Sequence, residues 1–317
     1  MPSICHICAN TYGNTLHNVP EMRFGTGERF EYMQCAACGC LQLVNPPANM
    51  AAYYPPDYAG FGATPDIGRL KNTLRRLRDR FALTRRGLIG RLLYARYPEP
   101  AIFSLRQLAL RPNSRILDVG SGGGALLYRL HDLGYRNAHG VDAHLHADIT
   151  HANGARVQRG TLANVPGGWN LIMFHHSFEH MPLGVLQTVQ EQLAPGGTCL
   201  IRMPVVPCAA WERYGVCWVQ LDAPRHLFIH SAQSLARLAA EAGLEIYTRF
   251  DDSTAFQFWG SEQVQRSIAL QAPQSYLSNP SGSIFSRREL RTFARTAQRL
   301  NAAGRGDQAA FFLRPKK

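Results

Sequence analysis

Acidic residues are scarce in this chain. Across 317 residues, 22 Asp and Glu face 34 Lys and Arg, leaving a formal charge of +12. No apolar run approaches the ~20 residues a membrane-spanning helix needs. The opening MPSICHICAN has no basic-then-apolar layout of a secretory leader. Both absences predict a cytoplasmic protein with no membrane span. Cysteine is thin outside one region: five of the eight fall within the first 40 residues, and Cys199, Cys208 and Cys217 come much later. Without a leader a disulfide framework is not expected, so the cluster is read as a metal site. Internal repeats and low-complexity tracts are missing too. At 45% hydrophobic residues, the chain has enough apolar side chains for a full core.

The excess positive charge is local. Arg69, Lys71, Arg75, Arg76, Arg78, Arg80, Arg85, Arg86, Arg91 and Arg96 are accompanied by one acid, Asp79. Such a stretch can meet the phosphates of a nucleotide, a nucleic acid or an anionic membrane, or it can be a solvated helix face. Leucines at spacings of three and four (Leu70, Leu74, Leu77, then Leu88 and Leu92) predict helices over about 67–110.

The early cysteines are paired as Cys5-x2-Cys8 and Cys35-x2-Cys38, 26 residues apart. Two knuckles of this spacing predict one tetrahedral zinc site with sulfurs ~2.3 Å from a shared ion. Cys40 is a near alternative ligand, and His6 lies inside the first knuckle. Four thiolates leave no open position, so the zinc is expected to be structural, folding a segment too small for its own core. An aromatic, turn-rich linker, YYPPDYAGFGATP, follows.

From Arg115 onward short apolar runs alternate with amphipathic ones: RILDVG, ALLYRLHDLGY, NAHGVDA, ARVQRG, LIMFHHS, VLQTVQEQLAPGG, TCLIRMP. That rhythm predicts an α/β fold with an open, mostly parallel sheet. The helix before TCLIRMP should stop at Pro-Gly-Gly. SAQSLARLAAEAGL predicts a helix capped by Ser231 and ended at Gly243, and EIYTRFD and QAAFFLR supply two last strands. Between strand and helix stands Asp118-Val-Gly120-Ser121-Gly122-Gly-Gly124, a turn that lets backbone approach a ligand at a helix N-terminus. Asp142, eighteen residues past Gly124 at the end of the next strand, can accept hydrogen bonds from both hydroxyls of a ribose. These features alone fit NAD as well as S-adenosylmethionine.

The D-x-G-x-G-x-G form, LIMFHHSFEHMP and the L-x-P-G-G step of EQLAPGGTCLIRMP together resemble the ordered motifs of class I S-adenosylmethionine-dependent methyltransferases, over roughly residues 100–250. The resemblance implies a Rossmann-like fold with a mostly parallel seven-stranded sheet. It implies cofactor contacts from Asp118, Gly120, Ser121, Gly122, Gly124, Asp142 and His175. Two positions depart from the pattern: Asn170 stands where the family usually has Asp, and Thr161 and Leu162 stand where an adenine-contacting acid is often found. The ribbon, the tyrosine-rich linker, LDAPRHLFIHS and GRGDQAAFFLR are similar to bacterial sugar and glycan methyltransferases. That similarity implies a small, phosphorylated acceptor such as a nucleotide sugar, and His180 as the base that removes its proton, with Glu179 orienting it. His176 is a second candidate. Trp218, Tyr214, Arg225 and His226 are candidates for the acceptor pocket, as aromatics with an Arg and a His can stack a sugar and pair a phosphate. Ribosomal RNA methyltransferases also carry zinc ribbons, so an RNA acceptor guided by the basic helix is the first alternative. A non-catalytic nucleoside-binding protein is the second. The expected layout is a zinc ribbon over 1–50, a linker and basic helical segment over 51–110, and a catalytic domain over 111–317. Lids or insertions are expected at about 205–230 and 255–305.

Overall fold

The computed structural model describes residues 4–55 and 68–316; most of the aromatic linker lies outside the described residues. Two compact units form, and neither is continuous in sequence. The first takes the chain up to Tyr53, then Phe178–Leu186 and Arg202–Lys316; the second takes Tyr54–Ser177 and Gln187–Ile201. The first change of unit falls between Tyr53 and Tyr54, near the expected boundary at 50, and none falls at 110.

The first unit opens with β1 (Thr15–Pro20) and β2 (Arg29–Gln34), an antiparallel hairpin in which Thr15 faces Gln34, and β3 (Leu41–Leu43), antiparallel to β2.

The second unit begins with helices α1 (Arg69–Thr84), α2 (Leu88–Arg96) and α3 (Pro100–Leu105), the region where leucine spacing predicts helices. Then come β4 (Ile116–Val119), α4 (Ala125–Asp132), β5 (Ala138–Asp142), β6 (Ile149–Thr150), β7 (Arg156–Arg159), β8 (Trp169–His175), α5 (Val185–Gln192), which belongs to this unit from Gln187, and β9 (Leu193–Pro204), which belongs to it through Ile201. The strand order here is β9-β8-β4-β5-β7-β6. All four residues of β4 are buried, as an apolar strand in the middle of a parallel sheet requires. It runs parallel to β5 and β8, with Asp118 opposite Gly140 and Met173. Asn170 ties β8 to β4 by accepting the Arg115 N–H at 2.8 Å.

Two details differ from expectation. The short β6, antiparallel to β7, adds a strand to the seven expected. And α5 stops at Gln192, before Pro195-Gly196-Gly197, which are part of β9. A Cβ at Gly197 would sit 2.7 Å from the Trp169 carbonyl, so glycine there permits a close strand approach rather than ending a helix.

The first unit resumes with the end of β9, then α6 (Ala209–Tyr214), β10 (Phe228–Ile229), α7 (Ala232–Glu241), β11 (Leu244–Asp251), α8 (Phe256–Gln265), α9 (Arg287–Ala302) and β12 (Gln308–Pro315). Ser231 caps α7, accepting the Ser234 N–H at 2.9 Å. β11 and β12 are antiparallel, and the order continues to β9. β10 pairs with β3, Phe228 opposite Gln42, so the N-terminal strands are completed by one from far along the chain: β1-β2-β3-β10. Residues 205–230, expected as a lid or insertion, instead supply core. Trp211, Tyr214, Trp218 and Leu221 are buried with Tyr32, Leu41 and Phe258. Burying these aromatics outweighs leaving them on a mobile surface segment.

Candidate functional site

In the first unit, the knuckles bring Cys5, Cys8, Cys35 and Cys38 together with all four sulfurs within 4.8 Å of one another. Cys5 and Cys38 are 3.6 Å apart and Cys8 and Cys35 3.5 Å, near the ~3.8 Å sulfur–sulfur edge of a tetrahedron with 2.3 Å metal–sulfur bonds. These separations exclude disulfide bonds. Burial raises the Cys35 thiol, but backbone N–H groups of Cys38 and Ala37 outweigh it and bring the thiol down to about 7. Cys40 is fully buried 3.4 Å from Cys38 and 3.7 Å from Cys5, and burial drives its thiol far upward. It suits an S–H donor to the cluster better than a fifth thiolate. His6 is exposed and contributes its backbone N–H to Gln42.

In the second unit, the turn after β4 is left-handed at Gly120 and Gly124, with φ of 71° and 78°, a conformation that would strain a side-chain-bearing residue. No side chain caps α4, so its first N–H groups remain open to a ligand. Asp142 braces the loop: one carboxylate oxygen accepts the Gly122 N–H at 2.8 Å, the other the His144 N–H at 2.9 Å. Each oxygen retains a lone pair. Asp118 is buried beside it, and its Oδ1 has no hydrogen-bond partner among the described residues. Burial, and then the neighbouring Asp142 charge, push the Asp118 carboxyl up to about 8. Ser121 Oγ, also buried, likewise lacks a partner among the described residues. Thr161 caps the short turn Leu162–Asn164, its N–H and hydroxyl both donating to Asn164 Oδ1, and Leu162 is buried.

His175 closes β8 half-buried. His176, next in the chain, has φ of 55°, a left-handed backbone costing on the order of 1 kcal/mol for a non-glycine residue. Ser177 fixes that bend by donating to the Val119 carbonyl at the end of β4. No residue-type pattern announces such strain, so the sequence gives no sign of it.

Phe178–His180 form a short 3-10 turn in the first unit. Glu179, His180 and His226 place a carboxylate oxygen and two ring nitrogens within 4.8 Å of one another. His180 donates from Nδ1 to the Arg225 carbonyl at 2.7 Å, which leaves the lone pair on Nε2. His226 donates from Nδ1 to the Gln220 carbonyl at 2.8 Å, and its Nε2 lies 3.8 Å from Glu179 Oε1. Burial, then the His180 charge, push His226 down to about 4, so it is neutral near pH 7.

Three residues expected to line the acceptor pocket have structural partners instead. Arg225 is fully buried, with Nη2 on Glu21 at 2.8 Å and on Asp222 at 2.7 Å; only Nη1 lacks a partner among the described residues. A guanidinium bound this way balances buried carboxylates. The Arg225 charge outweighs burial and holds the Asp222 carboxyl well below its usual range. Trp218 donates its indole N–H to Asp307 at 3.1 Å, and Tyr214 its hydroxyl to Glu262 at 3.0 Å. Asp222 stands three residues before Arg225 and could have been suspected; Glu21 lies too far away in sequence to be paired by inspection.

Residues 93–249 match the family model described as a methyltransferase domain. The chain carries a methyltransferase domain. As an enzyme of methyl transfer, it has the Rossmann-like α/β fold of that domain, with Asp118, the glycine turn and Asp142 at the carboxyl ends of adjacent parallel strands, where open α/β sheets bind ligands. No curated protein sequence matches the methyltransferase. Among solved structures, it is similar to geranyl diphosphate C-methyltransferase from Streptomyces coelicolor A3(2), crystallised with Mg2+, geranyl diphosphate and S-adenosyl-L-homocysteine. That match has TM-score 0.44 and 14% identity, over 72% of this chain and 81% of that one. The cyclopropane synthase MmaA2 from Mycobacterium tuberculosis gives TM-score 0.44 and 17% identity over 81% and 98%. The Haloferax volcanii complex of the Trm112 activator with a methyltransferase gives 0.45 and 15% over 74% and 96%. At such scores these likenesses assign no acceptor. Among the described residues, no helix of the methyltransferase is long and apolar enough to cross a membrane.

Proposed function

We propose that the enzyme transfers a methyl group from S-adenosylmethionine to a small, phosphorylated acceptor such as a nucleotide sugar or glycan intermediate. The observation that carries the cofactor is the Asp118–Asp142 pair. A buried carboxyl with an oxygen left unbonded, pushed up to about 8 by burial and then by the Asp142 charge, fits a ligand that brings a positive charge. The methionine ammonium of the cofactor is such a charge. Asp142, with one lone pair left on each oxygen, suits the two ribose hydroxyls. Gly120, Ser121, Gly122 and Gly124 offer backbone and hydroxyl around the methionine end, His175 the end of β8, and Thr161 and Leu162 backbone and apolar contact for adenine. The bound cofactor supplies a methyl carbon already activated by its sulfonium.

The protein then has to align the acceptor and remove one proton. His180 is the base in this reading, and its Nδ1 hydrogen bond to the Arg225 carbonyl fixes the tautomer with the lone pair on Nε2. Glu179 and the neutral His226 orient it, and His176 is the alternative base. The nucleotide-sugar or glycan acceptor rests on the resemblance carried by the ribbon, LDAPRHLFIHS and GRGDQAAFFLR. The four-cysteine cluster holds a structural zinc, supported by sulfur spacings close to tetrahedral.

A methyl-transfer assay with labelled cofactor, run in parallel on a nucleotide-sugar panel and on bulk RNA, tests this function. Label on RNA and on no sugar would replace the acceptor class; label on neither, together with no affinity for S-adenosylhomocysteine, would remove the cofactor.

A further inference from the structure

The basic segment of α1 and α2 takes no part in the site described above, and its chemistry is concentrated on one hairpin. Gly90 lets the helices lie close together: a Cβ there would meet the Leu77 carbonyl at 2.4 Å and Phe81 Cβ at 2.8 Å. Phe81 and Tyr94 add a ring contact at 5.8 Å on the same side. With that face turned inward, α2 turns Leu88, Ile89 and Leu92 outward, 78%, 58% and 72% exposed. At helical spacing these three share one face, flanked by the exposed Arg91 and Arg96. Leu70 on α1 is 74% exposed as well.

The arginines of the hairpin fall into two groups. Arg75 pairs with Asp132, and Arg78 with Asp79 and Glu99. Arg69, Lys71, Arg76, Arg80, Arg85, Arg86, Arg91 and Arg96 are all exposed, and none forms an ion pair with a described residue. The hairpin thus combines exposed aliphatic side chains with positive charge that no described acid pairs.

We propose that the α1–α2 hairpin docks the enzyme on an anionic lipid surface. The charge favours this partner over a second copy of the chain, since apposing two such faces would bring like charges together. The aliphatic face favours it over RNA, whose sugar–phosphate exterior offers arginines a partner but leaves Leu88, Ile89 and Leu92 in water. A bilayer of anionic lipid takes both: leucines enter the headgroup–acyl boundary while arginines reach lipid phosphates.

The full chain is sedimented with vesicles of phosphatidylcholine alone and of phosphatidylcholine with phosphatidylglycerol. Binding to the anionic vesicles only, weakened by about tenfold or more at high salt, is expected. Combining Leu88→Ser, Ile89→Ser and Leu92→Ser should lower that binding by about tenfold or more. Combining Arg85→Gln, Arg86→Gln, Arg91→Gln and Arg96→Gln should do the same. Affinity for S-adenosylhomocysteine serves as the fold control in both sets. Equal binding to both vesicle types, or to neither, overturns the proposal. So does an apolar variant that binds like the parent, or one whose effect is to split a dimer seen without vesicles. RNA binding in the absence of vesicle binding would assign the hairpin to nucleic acid instead.

Discussion

His180 and His226 stand edge to face with ring centres 4.7 Å apart, His180 turning Nδ1 to the Arg225 carbonyl and His226 turning Nδ1 to the Gln220 carbonyl. Both tautomers are thereby fixed, with the His180 lone pair on Nε2. We predict that His180→Ala lowers turnover by the ~10²–10⁴-fold typical of a lost general base, with affinity for S-adenosylhomocysteine almost unchanged. His180→Gln keeps a hydrogen-bond donor but cannot act as the base, and should be nearly as slow. Turnover in the parent range for both variants would make His180 structural.

Asp142 is expected to contribute directly to cofactor affinity. Replacing it with Ala removes two charge-assisted hydrogen bonds to the ribose, worth ~1.5–3 kcal/mol each. Calorimetric titration with S-adenosylhomocysteine reads this loss, and Asp142→Asn, which keeps one acceptor oxygen, should lie between. An unchanged dissociation constant for Asp142→Ala would refute the ribose contact.

Asp118 predicts a pH dependence. Its folded carboxyl, at about 8, lies above the ~3.9 of an unfolded chain, so it opposes folding increasingly as pH rises from about 4 to about 8. Asp118→Asn should therefore raise the melting temperature of the ligand-free protein at pH 8 by several degrees more than at pH 5. A ligand ammonium would pull the carboxyl back down, so cofactor binding at pH 7 should release close to one proton in the parent and none in the variant. Titrations in buffers of different ionisation enthalpy measure the release. Equal heats in all buffers would contradict a cation beside Asp118.

Metal analysis of protein purified without chelator should find close to one zinc per chain, lost in Cys35→Ser. A fully reduced protein with no metal, or a Cys5–Cys8 disulfide, would end the zinc assignment. Cys40→Ala should keep the metal, because the proposed ligand set is Cys5, Cys8, Cys35 and Cys38.

Arg225→Met leaves Glu21 as a buried carboxylate without its counter-ion and Asp222 with Arg23 as its remaining arginine partner. A loss of ~3–5 kcal/mol in denaturant unfolding is expected, and Glu21→Gln added to it should recover part of that loss. Wild-type stability with loss of acceptor binding alone would return Arg225 to the pocket.

Local requirements were readable from residue order. A sharp turn at a strand's end needs glycines at fixed offsets, and the Asp118–Gly124 run supplies them. Two sulfurs on one knuckle need a two-residue gap. Ser231 announces α7 because a hydroxyl must satisfy that helix's first N–H groups. Burial set by distant segments was not readable. Arg225 resembles a phosphate clamp until Glu21 arrives from 204 positions away, and Trp218 resembles a stacking platform until Asp307 takes its indole N–H. His176 gives no sequence cue because its strain is imposed by Ser177 and β4, not by its own side chain.

The borrowed strand β10 also constrains the order of events during synthesis. The Tyr32 hydroxyl closes on the carbonyl of His226, 194 residues later, beside the pairing of β10 with β3. At roughly 5–20 residues per second, the ribosome needs roughly 10–40 s to deliver that partner. For that interval the open edge of β3 is exposed to any other nascent chain. Metal capture by the cysteine knuckles, which needs only the first 40 residues, would hold the ribbon in shape while it waits. Zinc-starved cells should then lose this protein to aggregation on polysomes, before the chain is complete.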